Sequence, residues 1–323
     1  MPLFNAEKWM EKAIYSIINQ SNSDWEAILV NDGSSDKTWD ILEEFRLKYP
    51  NNLVIKNIEN SGPAKARRLG AELSSGKYVL FLDSDDYLSK DYIQQMSDSL
   101  IDNPLADMII PELVSEKKDG SWIRFNKLNK LDKGMILKGK EAFRRTFPWT
   151  IHGFAGYKRS LFLNASEGNL DFNRYNADEY VTRVFLLKCV QVVISGGQYF
   201  HKSNASSLTK KLSINKLGFL ETERRLIDLT IKEDPEYLKF VISDSNRKLF
   251  NSIFGFLMQN KNFSRTELTQ IVEAHKSFSL QLKKNKVKLI NITNSRKFNI
   301  LYRLFYRWFN SVYLVVKINK FIK

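Results

Sequence analysis

Only one cysteine, Cys189, occurs in the chain, so no intrachain disulfide framework can form and stability has to come from a packed core. Cys189 itself lies in an apolar helical stretch and reads as a core residue. With 7 prolines and 14 glycines, the chain is too poor in both to be collagen-like or a Pro/Gly-rich disordered polymer. The start, Met1-Pro2-Leu3-Phe4-Asn5, lacks the basic and apolar regions of a signal peptide, and no charge-free apolar run is long enough to cross a bilayer. These absences point to the cytoplasm. Acidic residues are missing from one stretch: after Glu273 there are about 12 Lys and Arg and no Asp or Glu, whereas the preceding part carries only about +2 of the net +14. A near-neutral body without a recognisable nucleic-acid module argues against a nucleic-acid binder.

What is present is globular: 43% hydrophobic and 27% charged over 323 residues, enough for one large or two modest domains. Helix and strand patterns alternate up to about residue 110. Helices are expected over 6–19, 38–48, 63–73 and 90–101, and strands over 26–30, 53–57 and 78–82, which predicts a largely parallel sheet covered by helices. Met108-Ile109-Ile110-Pro111 opens a less regular region with a hairpin at 112–125. A helix is expected over 178–189, a strand over 191–195, and mostly helices over 214–278.

The most informative feature is Asp83-Ser84-Asp85-Asp86, three acids at the end of the apolar run Val79-Leu80-Phe81-Leu82. Carboxylates crowded at the end of a buried element repel one another and lose hydration, so a divalent cation carrying a phosphorylated substrate is one explanation. A capped turn before a helix is the other. The run Ala27-Ile28-Leu29-Val30 also ends in an acidic turn, Asn31-Asp32-Gly33-Ser34-Ser35-Asp36, which puts both turns at the carboxyl edge of a sheet, where α/β proteins hold ligands.

Taken in order, Phe4-Asn5-Ala6-Glu7, Val30 to Asp36, Asn60-Ser61-Gly62 with Ala66-Arg67 and Gly70, and Gly76-Lys77-Tyr78 leading into the Asp83 to Asp86 motif resemble family 2 glycosyltransferases of the GT-A fold. The resemblance is strong over roughly the first 100 residues and weak over 151–207. It implies an α/β, Rossmann-like, mostly parallel sheet flanked by helices, with a helical C-terminal extension. It also implies a nucleotide-sugar-binding half at 1–110, an acceptor-binding half at 111–210, the extension at 211–278 and a basic amphipathic tail at 279–323. Carried over residue by residue, Asp32 binds the base of the nucleotide, Asn5 and Glu7 belong to the same site, and Phe4 either packs on the base or is a core aromatic. Asp83 faces the ribose, Asp85 of this DXD-type motif binds Mg²⁺ or Mn²⁺, and Arg67 meets the diphosphate, while Arg68 reads as a solvated helix residue. Asp178 is the catalytic base that yields inversion, with Ala177 in place of the usual Glu and Glu179 as the fallback. His201 either completes the metal site or faces the surface or diphosphate. Trp149 and His152 line the acceptor cleft, although a structural role for His152 is equally open.

The function implied is transfer of a hexosyl or N-acetylhexosaminyl group from a nucleotide sugar, UDP foremost, to a lipid-linked glycan in surface-polysaccharide synthesis. A truncated, impaired relative that only binds sugar is the alternative. A sugar-phosphate nucleotidyltransferase is disfavoured because no Gly-rich basic loop follows the first strand. The resemblance also implies an apolar strand just before Pro2, whose six or so buried side chains contribute roughly 10 kcal/mol before entropy; its absence leads us to expect a reading frame that begins further upstream. In the tail, Arg303 and Arg307 interrupt an aromatic-rich helical pattern, which suits either the anionic inner face of the cell membrane or docking on the catalytic domain. Liposome flotation of the full chain against a chain ending at Asn294 tests this: the membrane reading predicts that truncation abolishes flotation, and unchanged binding refutes it.

Overall fold

The computed structural model describes residues 1–117, 119–170, 176–202, 218–259 and 273, and the chain divides into two units, 1–205 and 206–323. In the first unit, β1 (Pro2–Leu3) runs parallel to β2 (Ala27–Asp32), with Pro2 beside Val30 and Leu3 beside Asn31. The terminal ammonium of Met1 donates to the Ile28 carbonyl at 2.8 Å, and the Met1 carbonyl accepts from Val30 N at 2.9 Å. Where the resemblance implied a strand of about six residues, residues 2–3 form a two-residue strand beside β2. The first helix, α1 (Met10–Ile18), turns Met10, Ala13 and Ile14 inward at helical spacing. It starts four residues later than expected because the preceding backbone is engaged elsewhere: Ala6 N donates to Thr38 Oγ1 and Glu7 N to Asp36 Oδ2.

All six residues of β2 are buried, and β3 (Leu53–Ile58) pairs parallel with it in full register. Between them lies α2 (Thr38–Lys48), which buries Thr38, Leu42 and Phe45. Next comes α3 (Pro63–Leu73), matching the sequence expectation, with a proline in its first turn and Gly62 before it at φ 91°.

The remaining strands form a second ladder. They are β4 (Tyr78–Leu80), β5 (Tyr87–Leu88), β6 (Ala106–Glu116), β7 (Trp122–Arg124), β8 (Ile136–Lys138), β9 (Gly156–Lys158) and β10 (Gln191–His201). Their order is β4-β9-β6-β10-β5, with β7 on β6 and β8 on β10. Only β6 and β10 pair parallel here; every other pair in this ladder is antiparallel. The architecture is therefore a mixed sheet flanked by helices rather than a mostly parallel one. Periodicity reveals strand or helix but carries no information on strand direction, and β9 returns between β4 and β6 against the expected sense.

At Met108-Ile109-Ile110-Pro111, where a less regular region was expected to open, β6 continues as one strand of 11 residues. It also crosses the expected boundary at residue 110, so the two halves share a continuous element. Pro111 is tolerated because the β10 register shifts between Ile194 and Gln198, opposite it, where no ladder donor is required. The hairpin does form, with Glu116 opposite Trp122. Helices α4 (Tyr92–Asp102), α5 (Phe125–Leu128), α6 (Gly139–Arg144), α7 (Arg159–Ser166) and α8 (Ala177–Lys188) complete this unit. Its core includes Leu82, Leu88, Tyr92, Ile109, Leu113, Val193 and Tyr199, and Cys189 is buried as expected.

In the second unit, α9 (Phe219–Glu233) and α10 (Leu238–Gln259) meet across a 3-10 turn at Pro235–Tyr237. Leu226, Ile227, Val241, Ile242 and Leu249 are buried, and buried Glu223 accepts from Ser245 Oγ at 2.5 Å and Lys248 Nζ at 2.8 Å. The tail at 279–323 lies outside the described residues. Among the described residues, no helix is long and apolar enough to cross a membrane.

Gly139, the first residue of α6, lies against the end of α8: a Cβ there would stand 2.2 Å from the Leu186 carbonyl oxygen and 2.3 Å from that of Cys189. Backbone cannot step aside as a flexible side chain can. Gly139→Ala is expected to cost about 1–3 kcal/mol in urea unfolding, and an unchanged midpoint would contradict the packing described.

Candidate active site

Three chain segments meet at the carboxyl ends of β1 and β2. Asn5, at φ 49°, donates its backbone N–H to Ser34 Oγ at 3.0 Å and accepts from Ser35 N at 2.9 Å through Oδ1. Glu7 Oε2 accepts from Lys37 N at 3.1 Å, while Asp36 accepts from the backbone of Glu7 and Thr38. Asn5 and Glu7 thus hold one turn against the other. Asp32 is 2% exposed, and its carboxylate is taken up by loop 60–62: Ser61 N at 2.7 Å, Ser61 Oγ at 3.1 Å and Gly62 N at 2.9 Å. Gly33 fits beneath this loop because a Cβ would come within 2.8 Å of Asn60 N, and its φ of +70° excludes most side chains. Phe4, by contrast, is 50% exposed, so it is not a core aromatic.

The acidic turn follows β4. Arg67, on α3, donates through Nη2 to Asp83 Oδ1 at 2.6 Å and through Nη1 to Asp178 Oδ2 at 3.1 Å. One guanidinium therefore joins the acidic turn to the first turn of α8, whose Asp178 lies 111 residues beyond Arg67 in the chain. Desolvation raises the Asp178 pKa, as do neighbouring Glu179 and Asp83, against the pull of Arg67. Arg68 is not simply solvated: it donates to Glu72, the Leu163 carbonyl and Ser166 Oγ, tying α3 to α7.

Asp86, which sequence reasoning left without a role, is buried behind this turn. Its carboxylate accepts from Tyr199 Oη at 2.9 Å and Lys202 N at 2.8 Å, and the same Tyr199 oxygen accepts from Asp83 N at 3.1 Å. Desolvation first, then Asp83 and Asp85, push the Asp86 pKa up to about 8. The turn is thereby locked to the end of β10, where His201 lies. His201 Nδ1 is 3.1 Å from Ser115 Oγ, and its ring centroid is 5.7 Å from that of Phe154. No group of three His, Cys, Asp or Glu side chains able to hold a metal is present among the described residues.

On the other side of Asp178, Trp149 Nε1 donates to Glu179 Oε2 at 3.4 Å, and both meet Arg183, whose side chain is fully buried. Sequence reasoning missed Arg183, since a charged residue on a helix ordinarily signals a solvated face. His152 lies elsewhere: it is 5% exposed, Nε2–H donates to the Pro111 carbonyl at 3.1 Å and sits 3.2 Å from Asn126 Oδ1, and the ring packs edge-on against Phe125. The structure brings Arg67, Asp83 and Asp178 together with Trp149 nearby along α8, and sets His152 apart as a buried support of β6.

The family model described as Glycosyl transferase family 2 matches residues 1–164. An uncharacterized glycosyltransferase of Haemophilus influenzae is 37% identical over 220 residues, 68% of this chain and 81% of that protein. The minor teichoic acid biosynthesis protein GgaA of Bacillus subtilis is 37% identical over 136 residues, which is 40% of this chain but only 30% of GgaA. Among solved structures, S. aureus TarS 1-349 in complex with UDP-GlcNAc has a TM-score of 0.68 at 19% identity, over 87% of this chain and 79% of that one; the likeness is one of fold.

Burial holds the His152 pKa down at about 4, desolvation being the main cause. An unfolded imidazole titrates near 6.5, so between those values the unfolded state binds a proton that the native state refuses. Stability present above pH 6.5 is therefore lost as pH falls towards 4, by about 3 kcal/mol in all. His152→Gln is expected to flatten the stability curve between pH 7 and 4, measured by urea unfolding at several pH values.

Proposed function

The chain belongs to glycosyl transferase family 2, and from that premise we propose that it is an inverting transferase acting on a nucleoside-diphosphate sugar and a hydroxyl of a lipid-linked surface glycan. The observation that carries this reading is the Arg67 bridge between Asp83 and Asp178. It sets a guanidinium suited to a diphosphate beside a carboxylate suited to taking a proton. In the reaction the acceptor oxygen bonds to the anomeric carbon, its proton passes to Asp178, and the bond to the diphosphate breaks with its electron pair on the leaving group. The Asp178 side chain is half-exposed at the start of α8, where an acceptor hydroxyl can reach it.

Exposed Phe4 offers a face for the nucleotide base, and Asp32 contributes through the Ser61 and Gly62 amides that it holds in place. Asn5 and Glu7 support the same pocket by clasping the 34–37 turn. The acidic turn supplies hard oxygen donors of the kind that divalent cations take. Asp85 and His201 would hold Mg²⁺ or Mn²⁺, although no group of three His, Cys, Asp or Glu is assembled for it among the described residues. A bound cation would neutralise the departing diphosphate. UDP is the nucleotide we favour, supported by the fold shared with UDP-GlcNAc-bound TarS, and teichoic acid or related polysaccharide synthesis by the likeness to GgaA. The basic tail would keep the enzyme at the inner membrane face, near its acceptor.

UDP release from UDP-GlcNAc with Mn²⁺ tests the reading. Asp178→Asn is expected to lower it by about 10²–10⁴-fold, and Asp85→Ala to abolish the response to Mn²⁺. Equal rates in wild type and Asp85→Ala overturn the metal assignment.

A further inference from the structure

Two neighbouring acids open α8, and each is held by a different arginine. Asp178 pairs with Arg67 on α3, whereas Glu179 pairs with Arg183, one turn along the same helix, at 3.1 Å. The Arg183 side chain has no exposed surface. Its Nε donates to Thr146 Oγ1 at 3.0 Å and its Nη2 to the Thr146 carbonyl at 3.1 Å, while the guanidinium carbon lies 4.6 Å from the Phe147 ring centre and 4.0 Å from that of Trp149. Among the described residues, Glu179 is the one carboxylate paired with it.

A guanidinium does not give up its proton in a protein, and burying one without a counter-charge is strongly unfavourable. Glu179 supplies the counter-charge that the buried Arg183 requires. The oxygen that meets Arg183 also accepts from the indole N–H of Trp149, so that ring is fixed by its nitrogen, its face and its own turn at once. Glu179 keeps 33% of its side-chain surface open, and Trp149 is partly exposed. An aromatic face beside a carboxylate suits a pyranose ring, whose C–H face packs on indole while a hydroxyl donates to the carboxylate.

We propose that Arg183 is a positioning residue that fixes Trp149 and Glu179 as one platform for the sugar ring of the acceptor, beside Asp178. The reference to an acceptor rests on the transferase reading above; the platform itself does not.

The full chain labelled with 5-fluorotryptophan gives a test by fluorine NMR, with Trp149→Phe assigning one signal among the 6 tryptophans. Arg183→Met and Glu179→Gln are each expected to shift or broaden the Trp149 signal. Glu179→Gln strands a buried charge and should lower Tm by roughly 10 °C, and the double variant should melt above it because neither charge remains. An unmoved Trp149 signal, or losses that simply add, overturns the positioning role. Titration of the wild type with methyl β-glucoside and methyl N-acetyl-β-glucosaminide should move the Trp149 signal in a dose-dependent way that Arg183→Met weakens at least tenfold; no movement with either glycoside overturns the sugar platform. If the glycosides move Trp149 but UDP-GlcNAc is neither bound nor cleaved, the platform stands and the transferase reading fails by itself.

Discussion

Arg67 lies between two carboxylates that reach it from distant parts of the chain, and its placement organises the site. Without it, Asp83 and Asp178 would face each other with only water to screen them, close to Asp85 and Asp86. The ion pairs hold the guanidinium firmly in its charged form despite burial, with Asp83 contributing more than Asp178. Its position depends in turn on α3, whose start is fixed by Asp32 through the Ser61 and Gly62 amides, and on Ala66 and Gly70 packing inward. The buried acid at the end of β2 therefore reaches Asp83 and Asp178 through the helix that it anchors.

A second layer of support lies behind the acidic turn. Tyr199 accepts from Asp83 N and donates to Asp86, and Lys202 N closes the same carboxylate, so the turn after β4 and the end of β10 are joined as one body. Packing of Phe154 on Tyr199, with centroids 4.6 Å apart, extends that body towards His201. Arg67 links the acidic turn to the start of α8, and Arg183 ties the next residue of that helix, Glu179, to Trp149.

Much of this was legible in the residues because the governing interactions are local. Pro63 after Gly62, and the i, i+3, i+4 spacing of Ala66, Leu69 and Gly70, announce α3 with its observed limits. The apolar run before Asp32 announces β2, and the order of motifs from Phe4 to Asp86 carries the family. What escaped were pairings between remote segments. The antiparallel insertion of β9, the passage of β6 through Pro111 and the short ladder at β1 depend on what lies opposite each strand, which a one-dimensional pattern does not record.

The same division holds for the side chains. Sequence by itself determined which residue types stand at which turn: acids after β4, a guanidinium on α3, an acid at the start of α8. Only the tertiary structure decided their partners. It turned Asp32 inward to the Ser61-Gly62 loop, left Phe4 exposed, sank His152 into the core and buried Arg183 against Glu179 and Trp149. The physical reason is that charge, burial and hydrogen bonding at a site are sums over neighbours brought together by folding, while a sequence motif specifies only the neighbours along the chain.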